Sequence, residues 1–202
     1  MFHLLLSVIY LAFISLGLPD ALLGSAWPSM YPAFHVPDSS YIKGRSYYYM
    51  FHLLLAVIYL AFISLGLPDA LLGSAWPSMY PVFHVPVSYA GIISMIIAAG
   101  TVISSLQSDR LTKKLGTGKI TAISVATTAV ALFGFSVSHS FIALCLWAVP
   151  YGLGGGSVDA ALNNYVALHY ESRHMSWLHC MWGVGASIGP YIMGYALSNK
   201  QG

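Results

Sequence analysis

The chain has 202 residues, of which 57% are hydrophobic and 7% charged, with a formal net charge of +2. Soluble domains carry about 25% charged residues, so this chain has too little polar surface to enclose a core in water, and its solvent is lipid. The small net charge gives no basis for a nucleic-acid partner, and where the charges sit says more than their sum.

In chain order, the first feature is a repeat. Residues 1–37 recur as residues 50–86, with differences only at Ser7/Ala56 and Ala33/Val82. Repeats that stack into arrays diverge and recur at least about three times. This one occurs once more and is then followed by unrelated sequence, as a recent duplication or a misplaced start would leave it. The bridge at 38–49 reads as a polar, aromatic linker. Its Lys43-Gly44-Arg45 is compatible with a purine-rich ribosome-binding stretch, so Met50 is the expected original start.

Six apolar stretches follow one another, at about 4–27, 53–76, 88–107, 119–137, 141–165 and 176–197. Each approaches the roughly 20 residues needed to cross a hydrocarbon core about 30 Å thick. Each is expected to be helical, because an open strand would leave backbone polar groups unpaired in lipid. A cleaved leader is rejected for the first stretch, which lacks a basic start. The densest basic cluster, Asp109 to Lys119, lies between the third and fourth stretches and is expected in the cytoplasm. The Tyr170–His174 loop then falls on the same side. On this count the copy at 4–27 would cross in the direction opposite to its twin, so it is expected to pack poorly. Cys145 and Cys180 both sit in apolar stretches and are expected as reduced packing residues.

An ionisable side chain at membrane depth costs about 2.5–3.5 kcal/mol on insertion scales and needs a reason to be there. Asp69 lies within Gly66-Leu-Pro-Asp-Ala-Leu-Leu-Gly-Ser-Ala-Trp-Pro77. Two readings stand: a structural carboxylate for backbone groups freed by Pro68 or Pro77, or a solute- or proton-binding group. Trp76 is either an interfacial anchor or a stacking platform for a sugar. In the fifth stretch, Asp159 and Asn163 are four apart and share a helix face, and Asn164 follows. A carboxylate beside a carboxamide supplies the mixed donors and acceptors that sugar hydroxyls need. Gly152, Gly156 and Ala160 make a small-residue row that admits a neighbouring helix. His179 is either a packing histidine or a gating or proton-linked one. Gly185, Gly189 and Pro190 suit a close-packed, bendable helix.

These residues resemble the major facilitator superfamily of secondary transporters. The stretch Ser105-Leu-Gln-Ser-Asp-Arg-Leu-Thr-Lys-Lys114 is similar to its signature between the second and third helices. Asp109, Arg110, Lys113 and Lys114 match, whereas Ser105 and Thr112 stand where glycines are usual. The Asp69…Gly73…Trp76-Pro77 pattern, the glycine run with Asp159 and Asn163, and Leu178-His179…Gly189-Pro190 are similar to the fucose–proton symporter-like branch.

The resemblance covers residues 50–202. It implies an all-α membrane protein, a partial amino-terminal six-helix bundle of a major facilitator fold, of which residues 50–202 supply the first five helices. It implies a multi-pass protein of the plasma membrane, bacterial, moving a sugar or related small solute by alternating access. By resemblance, Asp69 and Asp159 take part in proton coupling and sugar recognition, and Asn163 binds solute hydroxyls. Asp109 and Arg110 latch the cytoplasmic side. The implied partners are the solute, the lipid bilayer and a missing or separately encoded carboxy-terminal half; protons are the coupling ion, and no cofactor or metal is expected. The alternatives are an inactive gene fragment or a half-transporter module that needs a second half. Enzyme chemistry is not expected, since no nucleophile–base pair, metal spacing or phosphate loop is left unexplained.

Overall fold

The computed structural model describes the backbone over residues 41–198 and side chains from residue 51 onward. The first copy of the repeat, with its expected span at 4–27, lies outside the described residues. Among those described there are five α-helices: α1 (Tyr41–Met79), α2 (Ala90–Leu115), α3 (Thr117–Val137), α4 (Phe141–His169) and α5 (Ser172–Ser198). A 3-10 turn, Val87–Tyr89, leads into α2. The helix α1 begins at Tyr41, inside the bridge between the two copies.

Phe51–Met79, Val87–Leu115, Thr117–Val137 and Phe141–His169 are long and apolar enough to cross a membrane. The helix α5 is long enough, at 27 residues, but falls outside that set. Its Ser172, Arg173, His174, Ser176, His179 and Ser187 dilute its apolar surface. The stretch expected at 176–197 lies within α5, but it is less apolar than the other four spans.

Breaks between helices have local causes. Gly116 ends α2 at φ +83° and ψ 152°, a conformation open essentially to glycine alone. Ser140 caps α4, its side chain accepting from the Ala143 amide at 3.2 Å. The expected conformational-switch loop, Asp109 to Lys114, is not a loop but the last turns of α2.

Two parallel helix pairs build the bundle, each closed by glycine. Between α1 and α5, Gly185 sits against the Ile63 carbonyl, Gly189 against that of Leu67, and Gly66 against Trp182 and Ala186. Between α2 and α4, Gly152 meets Ile97, Gly156 meets Thr101 and Ser104, and Gly100 meets Gly152. The small-residue rows expected at Gly152/Gly156 and Gly185/Gly189 are thus the contact lines themselves. Ser105, in a usual glycine position, donates to the Gly156 carbonyl at 3.3 Å and so adds an interhelical hydrogen bond. The helix α3 packs antiparallel on α4, with Gly154 against Ser124 and Thr128, and Gly134 against Trp147.

One core cluster joins Ile58, Phe62 and Leu65 to Leu132, Val158, Leu162 and Leu178. A second, toward the other end, joins Leu71, Trp76, Met79 and Ile93 to Leu144 and Met193. At the end nearer the first cluster, Tyr170 donates to the Phe51 carbonyl at 3.0 Å and Tyr59 meets His174 Nδ1 at 2.7 Å. Arg110, Lys113, Lys114, Lys119 and Arg173, all the Lys and Arg with described side chains, fall at this same end. Both cysteines are free; Cys145 is partly buried, whereas Cys180, expected as a packing residue, is exposed.

Candidate functional site

The site is assembled from α1, α4 and α5 around Asp69. Tyr151 on α4 donates its hydroxyl to Asp69 Oδ1 at 2.6 Å, and Trp182 on α5 donates its indole N–H to Oδ2 at 3.0 Å. Both carboxylate oxygens are therefore held by side chains from two other helices, rather than by backbone groups freed by Pro68 or Pro77. Asp69 keeps accessible surface, and that surface belongs to a cavity wall. Hydrogen bonds to a charged partner are each worth about 1.5–3 kcal/mol, enough to fix three helices relative to one another.

Two cavity lobes share a wall made of Asp69, Tyr151, Trp182, Thr101 and Ile97. One, of about 340 Å³, runs toward the basic end and is lined further by Asp159, His179, Thr128, Gly152 and Gly155. The other, of about 460 Å³, runs toward Met79 and Met193 and is walled by leucines, Phe135 and Leu144. Volumes of this size lie within the range of small-molecule sites. The Thr101 hydroxyl lies 3.0 Å from the Ile97 carbonyl and 3.3 Å from that of Gly152, so its single proton is committed to backbone.

Asp69, Asp159 and His179 come together, as three residues spaced over more than a hundred positions of sequence. Asp159 and His179 line one lobe together with Asp69, and Asn163 stands one turn further along α4 from Asp159. Asn163 itself does not line either lobe. Its Oδ1 is buried with no partner among the described residues. Asn164 is exposed on a different face. The His179 ring packs edge-on to Phe62, with centroids 6.2 Å apart.

Trp76 is away from the cavity. It is 3% exposed, its indole donates to the Val87 carbonyl at 2.7 Å, and its ring meets Phe141 edge-on. It ties the end of α1 to the turn before α2. Asp109 pairs with Lys113 on its own helix at 2.7 Å, both side chains being exposed. Arg110 and Lys114 make no ion pair among the described residues. Tyr151 and Trp182 are the site residues that sequence reasoning missed. An aromatic in an apolar stretch gives no periodic signal that it will hold a carboxylate on another helix.

The family model described as Major Facilitator Superfamily matches residues 58–200, which takes in the whole cavity. The chain belongs to the major facilitator superfamily. A bacterial relative, the uncharacterized transporter y4wD of Sinorhizobium fredii, is 27% identical over 102 residues, covering 49% of this chain and 27% of the relative. The chain thus spans about a quarter of the length of the curated relative it matches. No solved structure matches it at a significant level. Membership in the superfamily makes the apolar helices those of an integral membrane protein and the cavity a site within its helix bundle.

Proposed function

We propose that this chain is the amino-terminal part of a transporter that moves a sugar or related small solute by alternating access, coupled to protons. One observation carries the reading: two carboxylates and a histidine, from three helices, line one cavity lobe at the depth of the apolar spans. Ionisable groups at that depth are costly and mark solute or ion pathways in membrane bundles. The superfamily match and the transporter relative support transport over catalysis. The sugar, and the fucose–proton symporter-like branch, rest on the resemblance of Asp69, Asp159 and the glycine-rich stretches around them.

In this reading Asp159 exchanges the proton with His179 beside it, and Asp69, held by Tyr151 and Trp182, accepts from the solute with its remaining lone pairs. The basic end faces the cytoplasm of a bacterial cell, and the membrane is the plasma membrane. The remaining wall of the cavity comes from a second half of the transporter, as sites near the midplane between repeats require. The test is uptake of labelled hexose by cells that express the chain in its genomic context, under an inward proton gradient. Asp159→Asn is expected to abolish gradient-driven accumulation while solute exchange continues. Unchanged accumulation in that variant refutes the role of Asp159. No uptake with the unaltered chain favours the inactive-fragment or assembly-module reading.

A further inference from the structure

The two lobes differ in what their walls can satisfy. Residues lining only the lobe near the basic end include Asp159 and His179, whereas the Thr128 hydroxyl there donates to the Ser124 carbonyl at 3.0 Å. Among the described residues that line only the other lobe, Ser94 is the single side chain with a polar group. The other side chains that line only this lobe are apolar, including Leu71, Leu72, Phe135, Leu144 and Met193. A free hexose carries hydroxyls on every side. Placed across both lobes it would strip water from several of them with nothing to replace it, and unpaired polar groups taken from water are costly. On the shared wall Tyr151 and Trp182 already donate to Asp69 and Thr101 donates to backbone, so what that wall still offers a hydroxyl is the spare acceptor capacity of Asp69, at the boundary between the lobes.

We infer that the site takes an amphipathic solute: a sugar head in the lobe of Asp159 and His179, and an apolar substituent, of the size of an aryl group, in the lobe beyond Asp69. This rests on the sugar reading above and narrows it to glycosides with an apolar aglycone. The Asp69–Tyr151–Trp182 cluster is then the collar at which the head ends and the tail begins.

Gly73 makes the idea testable. It lines the apolar lobe, and a Cβ built on it meets nothing within 4 Å. A large side chain there enters the lobe without displacing a helix. The full chain in lipid nanodiscs is titrated by calorimetry with a free hexose, its phenyl glycoside and benzyl alcohol. The phenyl glycoside is expected to bind at least tenfold more tightly than the hexose, about 1.4 kcal/mol. Gly73→Phe is expected to bring that ratio to about one, with Gly73→Ala as the control for helix integrity.

Equal affinities for hexose and glycoside, or a ratio that survives Gly73→Phe while the variant stays folded, overturn the two-lobe assignment and leave the sugar reading standing. Benzyl alcohol binding that Gly73→Phe abolishes, with neither sugar bound, keeps the apolar subsite and removes the sugar head. No binding of any of the three overturns the amphipathic site as one formed by this chain and favours the reading in which a second half completes it. If Gly73→Phe fails to fold, Ala98→Phe, on the α2 wall of the same lobe, decides between the same outcomes.

Discussion

Two glycines two residues apart on α5 are expected to respond oppositely to the same change. A Cβ on Gly185 would overlap the Ile63 carbonyl oxygen, and would lie 2.8 Å from Ile63 C and 3.0 Å from Leu67 N. These atoms are backbone and cannot rotate away. Ordinary carbon contacts need about 3.5–4.0 Å, so α1 and α5 must part by about 1 Å along this line, losing dispersion contacts on both sides. Overpacking of that kind costs about 1–3 kcal/mol. A Cβ on Gly183 meets nothing within 4 Å. There alanine only removes the entropic handicap of a mid-helix glycine, a gain of about 0.5–1 kcal/mol.

Gly185→Ala is therefore expected to lower stability by about 2 kcal/mol, and Gly183→Ala to leave it equal or slightly raised. For a chain of this size that is a fall in Tm of about 4–8 °C against no fall. The assay is thermal unfolding in a mild detergent, followed by far-UV circular dichroism. Gly66 faces the same seam from α1, against Trp182 and Ala186. Once Gly185→Ala has parted the helices, Gly66→Ala should cost less than it does alone. Equal shifts for the two α5 alanines, or strict additivity across the seam, would refute the close-packed α1–α5 contact.

Other substitutions probe the site and the turns. Tyr151→Phe removes the donor 2.6 Å from Asp69 and is expected to cost about 1.5–3 kcal/mol in denaturant unfolding, shrinking to under about 0.5 kcal/mol when Asp69→Leu is also present. An effect that persists in the double variant would assign the loss to packing of the Tyr151 ring. Gly116→Ala forces a side chain into φ +83° and is expected to cost about 1–3 kcal/mol by the same measurement, whereas Gly91→Ala, where a Cβ meets open space, is expected to be close to neutral. Lys113→Cys, at the basic end of α2, is expected to react with an impermeant thiol reagent in inside-out vesicles but not in intact cells. Labelling from outside intact cells would reverse the orientation. For this assay Cys180 is first replaced by serine, since it is exposed.

Much of this molecule was legible before any coordinates. Lipid leaves the backbone few ways to pair, so apolar stretches had to be helices; four of the five expected spans from residue 53 to 197 each lie within one helix, and 88–107 begins in the 3-10 turn that leads into α2. The small residues at Gly152/Gly156 and Gly185/Gly189 announced where helices approach, because only they let backbones meet. Asp69 and Asp159 stood out because a carboxylate in an apolar run is expensive. Other matters rested on contacts between helices far apart in sequence. Those contacts show that Asp69 is held by Tyr151 and Trp182, that Trp76 serves a turn and leaves the cavity to others, and that Asn163 lines neither lobe.

The amino-acid sequence alone determined the solvent, the helices and the residues too polar to be there by accident. These follow from transfer energies and spacing along one chain. The tertiary structure decided which of those residues meet and what shape surrounds them. A hydrogen bond spanning 82 or 113 positions leaves no periodicity to read, and a cavity is the space between helices rather than a property of any one of them.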